Sequence, residues 1–184
     1  MLKPASRPIT VLDYRELPEG PPFYQLIEGD LYMAPSPDAF HQDISGNIYF
    51  LIRSHLAKKP LGLVRFAPSD VELTDLNVYQ PDIYFVAKAR RSILTDHGVA
   101  GAPNLIVEVL SPRTARLDRG AKRAIYARTG VEELWLVDPE ALEVTVYHLR
   151  KSADVPASIY KEKHKFQTPL LPGLRISVAK IFAR

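Results

Sequence analysis

Apolar positions along this chain change their period several times, and each change marks an element. In "FYQLIEGDLYMAP" two short apolar-rich runs flank Gly29-Asp30, a pattern that predicts a β-hairpin. From His41 onward, Ile44, Ile48, Leu51, Ile52 and Leu56 recur at three- and four-residue steps, which predicts an amphipathic helix. Pro37-Asp38 suits its entry, and Lys58-Lys59-Pro60 its end. "GLVRFAP" and "DVELT" read as a strand, or a strand pair, broken at Pro68. "DIYFVA" and "NLIVEVL" are further strands, joined by a polar stretch with Lys88, Arg90 and Arg91. Residues 114–128 predict a second helix carrying Leu117, Ala121, Ala124 and Ile125 on one side, with Gly130 as its stop signal. "ELWLVDP" and "VTVYHL" follow as two strands turning at Pro139-Glu140, before a charged loop and the closing "LLPGLRISVAKIFAR". Residues 1–22, rich in proline, read as an extended arm with one helical turn near 11–16.

The order strands, helix, strands, helix, strands predicts an α/β or α+β fold around a mixed central sheet with flanking helices. A chain of 184 residues can fill one full core but is short for two, so a single domain over 1–184 is expected. Composition then narrows the chemistry. The absence of cysteine excludes disulfides and Cys-ligated zinc or iron–sulfur sites. A net charge of +3 and a pI near 9.1 give a basic lean compatible with a polyanionic partner. No long apolar leader is present, and no segment reaches the roughly 18 apolar residues of a membrane span. A cytoplasmic protein without membrane association is therefore expected. Walker-type phosphate loops, dinucleotide glycine fingerprints, HExxH zinc helices and nucleophile elbows are all missing.

Two carboxylates stand out against this background. Asp82 follows Pro81 where a turn becomes a strand, and Glu108 interrupts the apolar run Leu105, Ile106, Val107, Val109, Leu110. Burying such a carboxylate is costly unless a cation or hydrogen bonds compensate it. Strand alternation places Glu108 with Ile106 and Leu110. On neighbouring strands the two carboxylates repel and resist desolvation, and a hard divalent ion such as Mg²⁺ resolves both problems. Lys122, on the helix after the Glu108 strand, is the candidate cation for orienting a water or holding a phosphate. Asp118, Lys122 and Tyr126 share one helix face at four-residue spacing. More ordinary readings stand beside these. Asp82 suits a turn, Lys122 and Asp118 suit a surface pair, and Tyr126 and Trp135 suit the core. Arg113, Arg116, Arg119 and Arg123 suit either a phosphate backbone or a solvated helix face.

Pro81-Asp82 and the "EVL" of Glu108 to Leu110 resemble the PD-(D/E)XK nuclease superfamily. More closely, "LIEGDLYMAPSPDAFH", "QPDI", "LIVEVLSPRT", the spaced Asp118, Lys122 and Tyr126, "GVEELWLVDP" and "LPGL" resemble, in their shared order, the Uma-type restriction endonuclease family. The resemblance runs from about Tyr24 to the C-terminus. It implies a restriction-endonuclease-like core, with Asp82 and Glu108 as ligands of Mg²⁺ or Mn²⁺, helped by the Val109 carbonyl. The superfamily's usual lysine, two residues after the glutamate, is replaced here by Leu110, and the resemblance moves that role to Lys122. It also brings His41 into the site as a phosphate contact or proton shuttle, and Glu28 as a supporting acid.

The function so implied is metal-dependent hydrolysis of DNA phosphodiester bonds by a homodimer. Two rivals use the same fold. One is a catalytically idle nucleic-acid-binding or interaction module. The other is a metal-dependent hydrolase of RNA or small phosphate esters.

Overall fold

A computed structural model describes residues 7–18, 20–34 and 36–184. The expected arm over 1–22 lies partly outside them. Within the described part of the arm, helix α1 (Val11–Arg15) forms where a helical turn was expected, capped by a reciprocal pair between Thr10 and Asp13.

The hairpin is formed by β1 (Tyr24–Ile27) and β2 (Asp30–Met33). Its two-residue turn, Glu28-Gly29, has positive φ at both positions (51° and 87°), as tight hairpins demand. Helix α2 (Ala39–Lys58) follows, with Asp38 as N-cap accepting from the His41 amide. It buries Ile44, Ile48, Ile52 and Leu56, each contributing about 1.5–3 kcal/mol through removal from water.

Pro68 separates β3 (Gly62–Phe66) from β4 (Asp70–Thr74), and the two join different sheets. β5 (Asn77–Tyr79) then leads to β6 (Ile83–Ala87), a 3₁₀ turn (Lys88–Ile93) and β7 (Gly98–Ala100). β8 (Leu105–Val109) carries Glu108. The expected second helix comprises α3 (Ala115–Leu117), a π turn (Asp118–Lys122) and α4 (Arg123–Thr129), closed by Gly130 at φ 99°. β9 (Glu133–Asp138) and β10 (Glu143–His148) match their expectations. The charged loop and tail hold β11 (Ser158–Lys161), β12 (Lys165–Phe166), β13 (Ile176–Ser177) and α5 (Val178–Ile181).

The central sheet is mixed, in the order β11-β10-β9-β8-β6-β3, with β8 parallel to β9 and antiparallel to β6. α2, α5 and the β12–β13 ribbon cover one face. There Val107, Val109, Phe85 and Trp135 pack among the α2 isoleucines. The α3–α4 segment and the second sheet, in the order β2-β1-β5-β4-β7, cover the other, where Ile106, Tyr84 and Leu134 meet Tyr126, Val71 and Tyr79. Burial on both faces explains why β6, β8 and β9 read as nearly continuous apolar runs.

The short strands β5 and β7 escaped the sequence pattern because three residues are too few to display a period. The apolar side expected for the second helix also needs correction: Ala121 and Ala124 are exposed, whereas Asp118, Lys122, Ile125 and Tyr126 are buried. Here the buried side is partly ionic, so counting apolar residues pointed to the wrong one. Four-residue steps overshoot an α turn of 3.6 residues. The underwound π turn takes back part of that drift, keeping Asp118, Lys122 and Tyr126 aimed at β8.

The hairpin packs under the N-terminal arm, where a Cβ built on Gly29 would meet the Pro8 side chain at 2.7 Å. Gly29→Ala should therefore lower the unfolding free energy by about 1–2 kcal/mol, read from urea denaturation.

Candidate active site

Strand register places the two carboxylates side by side. Ile83 pairs with Val107 in the antiparallel β6–β8 ladder, so Asp82, just before β6, stands opposite Glu108. Asp82 thus sits at a strand entrance rather than within a strand. Its Oδ2 accepts a hydrogen bond from the Val109 amide at 2.7 Å, and its Oδ1 lies 2.8 Å from His41 Nε2. His41 reaches this point from the first turn of α2. Burial works against its charge, but the bond to Asp82, with Asp38 and Glu108 nearby, outweighs that and raises its pKa above the ordinary histidine value.

Glu108 is 4% exposed. Its Oε1 accepts from Lys122 Nζ at 3.1 Å and from the Tyr126 hydroxyl at 2.6 Å. Lys122 is buried too, and its ammonium also lies 3.0 Å from Asp118 Oδ1. That contact is a buried ion pair across one helical turn. The Tyr79 ring lies edge-on to Tyr126 and 5.8 Å from the ammonium.

Burial pushes the Glu108 pKa up to about 7, against Lys122 and with Asp118 and Asp82. Lys122 is itself raised, because Glu108 and Asp118 together outweigh its desolvation. Of this pair the lysine, flanked by two carboxylates, keeps its proton, and Glu108 is the member that yields.

These groups form the floor of an open cleft of about 640 Å³, lined by Asp82, Glu108, Val109, His41, Lys122 and Arg113, among others. Four expected side chains, Asp82, Glu108, Lys122 and His41, are thereby brought together. Glu28 is not: it stands on the exposed hairpin turn, 3.3 Å from Arg128 and 3.4 Å from Asn77, and does not line the cleft. Asp70 is also outside, accepting from Tyr14 and Gln80. The basic set divides. Arg113 lines the cleft, Arg119 pairs with Asp138 at 2.6 Å, and Arg123 binds the Ala153 carbonyl and Asp154.

Lys122 is no surface partner of Asp118, because both are buried. Nor is Tyr126 only a packing residue, since its hydroxyl serves Glu108. Its place on the face of Asp118 and Lys122 was the available signal for that role. Trp135 is a core residue, donating to Glu133 at 2.6 Å and packing on Phe166.

The family model described as "Putative restriction endonuclease", Uma2, matches residues 11–179. The chain belongs to the Uma2 family. It is 26% identical over 163 residues to "Uncharacterized protein slr1290" of Synechocystis sp., covering 86% of this chain and 83% of that protein. It also superposes on a crystal structure from Anabaena variabilis, titled a "putative nuclease belonging to DUF820", with a TM-score of 0.80 and 22% identity. That match covers 95% of this chain and 98% of the other, and establishes a shared fold.

Restriction-endonuclease-like families such as Uma2 generally use divalent metals, and the donor set here can be tested against that. Among the described residues no three His, Asp or Glu side chains cluster at ligand spacing. Two carboxylates nevertheless face the cleft from adjacent strands. The Val109 amide bonds to Asp82, so the carbonyl of that same residue lies on the same strand edge. Two carboxylates and a carbonyl suit Mg²⁺ or Mn²⁺, which keep several positions for water and substrate. Charge points the same way, with three carboxylates around one ammonium and one imidazole. Asp82, Glu108 and Val109 would hold the ion. No helix among the described residues is long and apolar enough to cross a membrane.

Folded Glu108 keeps a proton up to about pH 7, whereas a free carboxyl loses it near 4.5. The folded state therefore binds more protons in that window, and stability falls as pH rises through it. Denaturation of the metal-free protein should show this decline, and Glu108→Gln should flatten it. Lys122→Met, which strands two buried carboxylates, should cost about 3–5 kcal/mol. Tyr126→Phe should cost about 1–3 kcal/mol.

Proposed function

We propose that the chain is a metal-dependent nuclease that hydrolyses DNA phosphodiester bonds at the Asp82–Glu108 cleft. The observation that carries this reading is a buried glutamate, matched to a buried lysine, opening beside a second carboxylate onto a 640 Å³ cleft. A purely structural core gains little from such a group, since replacing a buried ion pair by apolar residues is often neutral or stabilising.

A bound Mg²⁺ or Mn²⁺ would lower the pKa of water and offset negative charge on the scissile phosphate. Asp82 and Glu108 supply the negative charge that recruits it. Lys122 acts as a fixed cation rather than a base, because its pKa lies above the ordinary lysine value. It favours the ionised form of Glu108 against burial and offers positive charge to the phosphate. Arg113, at the cleft wall, gives a second contact for the DNA backbone. His41 fixes the Asp82 carboxylate and is the nearest side chain able to pass a proton. Glu28 can act only indirectly, through the Asn77 and Tyr79 side of the cluster. The chain works as one unit, since β6 and β8 serve both cores and the site. Cutting both strands of a duplex requires two such sites, which a homodimer provides.

Purified protein incubated with plasmid in Mg²⁺ or Mn²⁺ should nick or cut it. Asp82→Asn and Glu108→Gln, which keep side-chain shape, should each lower the rate at least about 100-fold. Cleavage surviving in both variants would reject the site. Metal binding with no cleavage by the unaltered protein would favour the idle binding module.

A further inference from the structure

A second hollow, of about 340 Å³, opens from the side of the cleft along α2. It shares Pro37, His41, Gln42, Ala67 and Asp82 with the cleft, so the two form one continuous space. Its volume falls within the range of about 300–1,000 Å³ that small planar ligands use.

Three features mark its wall. Gly46 lies inside the 20-residue helix α2, where glycine is disfavoured relative to other residues. A Cβ there would meet nothing within 4 Å, so no close packing explains the glycine, whereas a larger side chain would fill the hollow. Tyr49 and Phe66 meet edge-to-face at 4.7 Å, yet Phe66 is 55% exposed. The Ser45 hydroxyl is buried in the same wall with no hydrogen-bond partner.

We infer that this hollow is a nucleobase subsite, which receives an unpaired base next to the phosphate held at Asp82 and Glu108. A base has the flat apolar faces that Tyr49 and Phe66 accept and a polar edge that Gln42, exposed in the wall, can meet. Because the hollow joins the cleft at His41 and Asp82, a base seated there brings its own backbone phosphate to the carboxylates. A base still paired in a continuous duplex cannot enter. The strand seated there has at least one base unpaired at the cut, either in single-stranded DNA or where a base is displaced from a nicked or locally melted duplex, as supercoiled plasmid supplies. This inference rests on the nuclease reading of the neighbouring cleft and adds to it the kind of strand that is cut.

The test compares binding of two fluorescent oligomers of equal length and charge in Ca²⁺. One is single-stranded DNA, and the other has the same phosphodiester backbone with abasic tetrahydrofuran units. The DNA should bind about tenfold more tightly or better, as base–aromatic stacking requires. Gly46→Leu fills the hollow while improving helix propensity, and Tyr49→Ala removes one ring. Each should erase the difference and leave the affinity for the abasic oligomer unchanged. Equal binding of the two oligomers, or a difference that survives both variants, overturns the subsite. So does a dimer dispersed by Phe66→Ala, which would give the aromatic wall to an interface between copies. Cleavage assayed separately keeps the two readings apart. Cutting without base discrimination sinks the subsite alone, and base-dependent binding without cutting supports the subsite while removing the nuclease.

Discussion

The burial of the Glu108 carboxylate in the middle of the central sheet is the constraint on which the rest of this structure depends. An isolated charge at such a position is untenable, and the chain answers with an ammonium from Lys122 and a hydroxyl from Tyr126. Supplying both from one short segment sets the position of α3–α4 against β8, with Gly130 ending it where β9 must begin. The π turn at Asp118–Lys122 follows from the same demand, since π bulges arise where a side chain must be aimed against the regular helical advance.

A consequence is an asymmetry between the faces of one sheet. Toward α2, β8 presents Leu105, Val107 and Val109 to a layer that is apolar except at the far strand end, where Glu133 accepts from Trp135 and Thr168. Toward α4, it presents Ile106, Glu108 and Leu110, and the layer there is apolar except at the strand end, where three carboxylates and a lysine meet. The ion-paired cluster of Glu108, Asp118 and Lys122 thus lies at the rim, where the cleft admits water and a cation. The interior supplies rigidity, and the rim retains the negative surplus that a divalent ion would neutralise. Asp82 is secured from both sides, by the Val109 amide and by His41, so the pair does not depend on a flexible loop.

Much of this was legible in the residues. The long helix, the hairpin and the strands around Asp82 and Glu108 follow from clear periods, and alternation alone put Glu108 on the face of Ile106 and Leu110. The four-residue spacing of Asp118, Lys122 and Tyr126 foretold a shared face. What it could not tell was that this face turns inward, because charged residues at helical spacing ordinarily mark solvent. The division of the strands into two sheets was hidden for a different reason: β5 and β7 are short, and the partners of β4, β5 and β7 are set by long-range register. Glu28 lies apart from the four side chains gathered at the cleft. Its strained turn fixes the hairpin, and the side chain points to Arg128 rather than to the cleft.

The proposed nuclease stands on Asp82 and Glu108 together holding a divalent cation. Crystals soaked in Mn²⁺ test it most directly through anomalous scattering. One strong peak is expected within ligand distance of both carboxylates and the Val109 carbonyl, lost in Asp82→Asn. A peak elsewhere in the cleft, or none at saturating Mn²⁺ with Lys122 still bound to Glu108, would contradict it.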